Sequence, residues 1–146
     1  MADIDKPVLF ACTLNGVRSV MAEALYGARF GPSVQSCGMM AGPPNGFTAA
    51  VLAEIGLDVT DHEPQSFDDL SADDFSLVIS MSIEAKLAAE SWAAKAAESG
   101  LRHEHWDIQE PGGDSGNRDS QLEGYRQVRD EIANRLDAYF GADRVK

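Results

Sequence analysis

The segment Cys12-Thr13-Leu14-Asn15-Gly16-Val17-Arg18-Ser19 sets a cysteine, an arginine and a serine at the spacing of an anion-binding loop that carries its own nucleophile. A phosphoryl group shares negative charge over its equatorial oxygens, so a site for it needs several converging N–H donors. Six residues, Thr13 to Arg18, wrapped between a strand and a helix N-terminus supply a nest of backbone amides. The helix dipole adds partial positive charge at the same point. Gly16 eases the positive-φ conformations of a tight loop, and Asn15 is among the few other residue types that tolerate them. Arg18 carries a fork of donors that can hold two phosphate oxygens at once, which a lysine could not match. The amides, the helix end and Arg18 all favour the thiolate of Cys12, the form that attacks. Ser19 can donate its hydroxyl to that sulfur.

The elements around this loop follow from apolar patterning. Pro7-Val-Leu-Phe-Ala11 is a short apolar run that fits a strand buried on both faces, and it leads directly into Cys12. Val20, Met21, Ala24, Leu25 and Ala28 then form a helical stripe, stopped at Gly31-Pro32. Ser33 to Cys37 reads as a second strand, and Thr48 to Ile55 as a helix with Gly56 at a left-handed C-cap. Leu57 to Leu70 is rich in acids and has no clear period. Phe75 to Met81 reads as a third buried strand, and Ile83 to Glu98 as a helix ended by Gly100. Leu101 to Trp106 is a candidate fourth strand despite its charged and titratable residues. After a Gly-rich loop, Leu122, Tyr125, Val128, Ile132, Leu136 and Tyr139 mark one face of an amphipathic helix, with Asn117 suited to cap it. Strands alternating with helices imply an α/β fold: a four-stranded, mostly parallel sheet with helices on both sides, three layers in all. Ligands bind such sheets outside the carboxyl ends of the strands, where Cys12 falls.

Composition bounds the rest. With 146 residues the chain has room for a single domain spanning 1–146. No apolar run approaches the roughly 20 residues that span a bilayer, and the N-terminal residues lack a signal-peptide pattern, so the expectation is a cytoplasmic protein with no membrane partner. Net charge −12 argues against nucleic-acid binding, which needs basic surface. Any anion site must then be local. The two cysteines, Cys12 and Cys37, are too few for a disulfide framework and read as thiols.

The loop after an apolar strand, followed by Met21-Ala-Glu-Ala, resembles the low-molecular-weight protein tyrosine phosphatases, whose fold is shared by the thioredoxin-linked arsenate reductases. The likeness extends to Ser36-Cys-Gly after the second strand and to Gly56-Leu-Asp-Val with His62. It continues in His105-Trp106 with Glu110-Pro111, and in Tyr125-Arg-x-Val-Arg-Asp-Glu. It implies a phosphotyrosine protein phosphatase I-like fold and hydrolysis of a phosphorylated protein or small phosphate ester. By that likeness Cys12 attacks phosphorus while Arg18 and the loop amides hold the oxygens, and Glu110 protonates the leaving group and then activates water. Asn15, Ser36 and His62 would keep the loop in shape. Neither metal nor cofactor is implied.

The sequence departs from that pattern in informative places. The family's general acid is an Asp before Pro; Glu110 stands there, and Asp107 and Asp114 are rivals in the same loop. Leu14 replaces a usual Gly, which either narrows the pocket or leaves its side chain pointing away. Gly112 and Gly113 follow Glu110-Pro111 in place of the aromatics of the eukaryotic enzymes, and Val20 replaces a usual Pro. Arsenate with a thiol donor is the rival substrate. The thioredoxin-linked reductases keep two further cysteines after the third strand, where this chain reads Ser80-Met-Ser-Ile-Glu-Ala-Lys, so Cys37 or an external thiol would have to serve. An inactive phosphate-binding or interaction module is the third reading. The plainer expectations are that Cys37 is a buried packing residue and that His62 is a surface histidine. Trp92 reads as core or a partial surface anchor, and Trp106 as core or a wall of the cleft. His103 and His105 lack companions at zinc spacing.

Overall fold

Val8–Cys12 (β1) is buried along its whole length, as a strand covered on both faces must be. In the computed structural model, which describes residues 6–96, 100–112 and 117–144, it lies inside a sheet with β2 (Val34–Gly38), β3 (Leu77–Ser80) and β4 (Arg102–His105). The order is β2-β1-β3-β4 and every pairing is parallel, with Val8 opposite Val34 and Leu77, and Leu77 opposite Arg102. The chain leaves β1 toward β2 on one side and returns to β3 on the other. The carboxyl end of β1 therefore sits at the point where strand order reverses, the place where such sheets bind ligands.

Four helices complete the layers: α1 (Arg18–Phe30), α2 (Gly46–Ala53), α3 (Ile83–Ala94) and α4 (Arg118–Arg144). Alternation along the strands sorts the core into two halves. Val8, Phe10, Leu77 and Ile79 pack with Met21 and Leu25 of α1, Val51 and Leu52 of α2, and Ile132 and Leu136 of α4. Leu9, Ala11, Cys37 and Val78 face the other way, toward Ala85, Ala89 and Trp92 of α3 and the short turns that carry Phe67 and Phe75. This is the three-layer α/β architecture the periodicity predicts. Trp92 and Trp106 are both core residues.

Element ends follow local chemistry. Asn45 caps α2 by accepting from the Thr48 amide, and Ser82 caps α3 by accepting from that of Ala85. Asn117 caps α4 through the Ser120 amide, as its residue type predicts. Gly56, at φ 83°, closes the turn after α2. β4 is an edge strand with its side chains half-buried or exposed, which explains how charged residues sit in it. Asp114, the end of the helix expected to run to Glu98, and Gly113 lie outside the described residues.

Candidate active site

The loop leaving β1 is fixed from below by a closed set of buried polar side chains. Asn15 is fully buried at φ 56°, the one described non-glycine residue with positive φ. Its Nδ2 donates to Ser19 Oγ (2.9 Å) and Ser36 Oγ (3.0 Å), and its Oδ1 accepts from the Gln65 amide (3.0 Å). Ser36 in turn donates to Glu23. His62 completes the ring, with Nε2 3.2 Å from the Asn15 carbonyl and Nδ1 4.0 Å from Glu23. Burial pushes the Glu23 carboxyl above the usual range, against the opposing effects of Ser36 and His62. His62 is thus half-buried under the loop and not a free surface histidine.

Backbone contacts hold the loop from the side. Cys12, Thr13 and Leu14 carbonyls accept from the amides of Met39, Met40 and Gly42, and the Gly16 carbonyl accepts from Thr48 Oγ1. Such stitching requires close approach: a Cβ on Gly38 would lie 2.5 Å from the Met40 carbonyl oxygen and 2.8 Å from the Asn15 nitrogen. Gly38 therefore serves the loop as directly as the loop residues themselves.

On the open side is a cavity of about 260 Å³, lined by Cys12, Thr13, Leu14, Gly16, Val17, Arg18 and, from other segments, Pro43, Pro44, Asn45, Glu84, Glu110 and Pro111. Of the expected anion-binding residues only Asn15 is missing from it, because its side chain turns inward. Leu14 lines the cavity, and its side chain packs against Gly42, where an added Cβ would lie 2.9 Å from the Leu14 Cβ. Cys12 Sγ lies 3.0 Å from Ser19 Oγ. No side chain caps α1, whereas α2 and α3 are both capped. The first-turn N–H groups of α1 are left as donors for an anion.

Arg18 does more than the sequence suggests. Its Nη1 donates to the carbonyls of Met81 (3.2 Å) and Ile108 (2.9 Å). That anchors the segment after β4 to the loop and leaves Nε and Nη2 to serve as the fork for oxygens. Ile108 is buried, and Trp106 beside it packs against Phe10, Tyr139 and Phe140. From that anchored stretch Glu110 reaches the cavity lining, whereas the exposed Asp107 does not.

The other sequence candidates fall elsewhere. Cys37 is fully buried, its thiol pushed up chiefly by burial. It pairs in register with Ala11 and points to the α3 face of the sheet. His103 Nε2 and His105 Nδ1 both approach Ser80 Oγ, at 2.9 and 2.8 Å. Among the described residues no group of three or more His, Cys, Asp or Glu side chains is arranged to hold a metal, and no helix is long and apolar enough to cross a membrane. Sequence reasoning passes over Glu23, Gln65, Thr48 and Gly124. Glu23 is visible inside the Met21-Ala-Glu-Ala run, and Gly124 as an isolated glycine in a helical pattern. A Cβ on Gly124 would lie 2.0 Å from the Gly112 carbonyl oxygen, so Gly112 rests directly on α4.

A strand, a cysteine-headed anion loop on a helix N-terminus, and a carboxylate in the same cavity are the parts of a small oxyanion-handling enzyme. Residues 7–146 match the family described as low molecular weight phosphotyrosine protein phosphatase, and the chain belongs to that family. It is 27% identical over 135 residues to the glutaredoxin arsenate reductase of Synechocystis sp., covering 90% of this chain and 94% of that one. To the arsenate reductase of Bacillus subtilis it is 28% identical over 134 residues, covering 90% and 93%. Among solved structures, a low molecular weight protein tyrosine phosphatase from T. tengcongensis superposes with a TM-score of 0.71 at 26% identity, covering 90% of this chain and 95% of that one.

Proposed function

We propose that this protein hydrolyses phosphomonoesters through a cysteinyl-phosphate intermediate, in the cytoplasm, where its thiol stays reduced. One observation carries the reading. Glu110 shares a cavity with Cys12 and Arg18, while the second thiol of the chain is fully buried in the α3-side core and does not line that cavity. The Cys12 thiolate attacks phosphorus as the bond to the leaving oxygen breaks, and Glu110 supplies that oxygen's proton. Glu110 then takes a proton from water as the water attacks phosphorus and Cys12 departs as thiolate. Ser19 Oγ, 3.0 Å from the sulfur, donates to the thiolate at the beginning and end of the cycle. Arg18 and the amides at the start of α1 hold the equatorial oxygens throughout. A phosphorylated protein or an aryl phosphate is the proposed substrate.

A second reading, arsenate reduction, is favoured by the names of the curated relatives. It requires a thiol from outside, such as glutathione, mycothiol or a glutaredoxin, because Cys37 is closed off and the whole sequence has no further cysteine. Hydrolysis of 4-nitrophenyl phosphate and thiol-dependent arsenate reduction, measured for wild type, Cys12→Ser and Glu110→Gln, separate the readings. Hydrolysis lost in Cys12→Ser and strongly lowered in Glu110→Gln, without reductase activity, is the expected result. Phosphate binding with neither activity would refute both enzyme readings and leave a binding module.

A further inference from the structure

We propose that the cavity selects phosphotyrosine flanked by basic residues in a protein substrate, with Glu84 the residue that reads the neighbouring positive charge; this rests on the hydrolase reading above. The floor of the cavity is built for a dianion, yet two carboxylates line the same space. Glu110 comes from the segment after β4 and Glu84 from the first turn of α3. Arg18 is the one cation among the lining residues, and its Nη1 is already held by two carbonyls. Among the described residues no lysine or arginine pairs with either glutamate.

Proton transfer accounts for Glu110. It does not account for Glu84, which is exposed, accepts from Thr13 Oγ1 at 3.3 Å, and lines the cavity that an incoming anion must enter. A phosphate ester with no positive group meets repulsion from Glu84 at the mouth of the site. One that carries a guanidinium or ammonium beside the phosphoryl group finds a carboxylate for it. Beside the polar Thr13 and Asn45, the lining includes Leu14, Val17, Pro43, Pro44 and Pro111, apolar surface that suits the body of a tyrosine side chain. The net charge of −12 acts in the same direction at longer range, favouring encounter with basic proteins. A first-turn acid also complements the α3 dipole, but that role affects stability and not choice of substrate.

The test compares 4-nitrophenyl phosphate with two phosphotyrosine peptides of the same length, one flanked by arginines and one by glutamates, on wild type and Glu84→Gln. Wild type is expected to prefer the arginine-flanked peptide through KM, and high salt should shrink that preference. Glu84→Gln should reduce the preference by about three- to fivefold, the scale of a partly exposed ion pair. It should also raise kcat/KM for 4-nitrophenyl phosphate, because one carboxylate has left the approach. Equal rates on both peptides in wild type, or full preference retained in Glu84→Gln, would overturn the proposal. Hydrolysis of 4-nitrophenyl phosphate but of neither peptide would overturn it while sparing the hydrolase reading. Hydrolysis of nothing would remove both.

Discussion

Replacing Gly124 by alanine should slow turnover while leaving its own helix, taken alone, better formed. The new Cβ would lie 2.0 Å from the Gly112 carbonyl oxygen and 2.7 Å from the carbonyl carbon, where real Cβ atoms essentially never come closer than 3.0 Å. Both partners are backbone, so no side chain can swing away, and the loop must retreat by about 1 Å. Gly112 follows Glu110-Pro111 directly, so the retreat is carried to the carboxylate lining the cavity. A misplacement of that size costs on the order of a hundredfold in rate. Against it, alanine gains about 0.5–1 kcal/mol over glycine in a helix interior, so global stability should not fall in parallel. The assay is kcat/KM, which reports formation of the cysteinyl-phosphate, on two substrates, phenyl phosphate and 4-nitrophenyl phosphate. The poorer leaving group depends more on the acid, so its rate should drop more. Rates equal to wild type on both would show that this contact does not position Glu110. Equal losses on both, with a lowered Tm, would point to general damage instead.

Other expected outcomes concern the supports of the site. Cys37→Ala should leave hydrolysis unchanged and lower stability only slightly, because the side chain packs in the α3 half of the core; abolished turnover would mean that Cys37 takes part in the chemistry. Asn15→Ala should cost about 1–3 kcal/mol for the stranded partners Gln65, Ser19 and Ser36, and about 1 kcal/mol more for the left-handed backbone. Asn15→Gly should recover only the backbone part, and thermal unfolding of both variants separates the two effects. Burial holds His103 and His105 below the usual histidine range, so their contribution to stability is complete above about pH 6.5 and is lost as pH falls through their folded-state values. Glu23, raised by burial, works with the opposite sign and loses its contribution as pH rises through its folded-state value. Chemical denaturation across this window should therefore show a steeper fall toward acid in wild type than in a His103→Gln/His105→Gln variant; parallel curves would contradict it.

The loop was legible because its chemistry is local. Cys12, Asn15, Gly16, Arg18 and Ser19 fall within eight consecutive positions, and the flanking apolar run and helical stripe place them between a strand and a helix. Four strands and their order of appearance followed from the same patterning. The edge strand was the hardest to see, since Arg102, His103 and Glu104 can sit in a strand only where one side is open. What the sequence could not display is contact between distant backbones. Nothing in the residue types shows that Arg18 grips the Ile108 carbonyl ninety residues away, or that Gly38 and Gly124 stand where backbone presses on backbone. The acidic stretch before the third strand lacked a period because much of it is loop, yet it delivers His62 and Gln65 under the anion loop.

The central claim is that Cys12 forms a covalent bond to phosphorus. Rapid acid quenching during turnover of 4-nitrophenyl phosphate, followed by mass spectrometry of the digested protein, tests it most directly. A phosphoryl group on the peptide that contains Cys12, present in wild type and missing in Cys12→Ser, is the predicted result. Turnover that persists in Cys12→Ser, or that proceeds in wild type with no phosphoryl group on that peptide at any quench time, would contradict it.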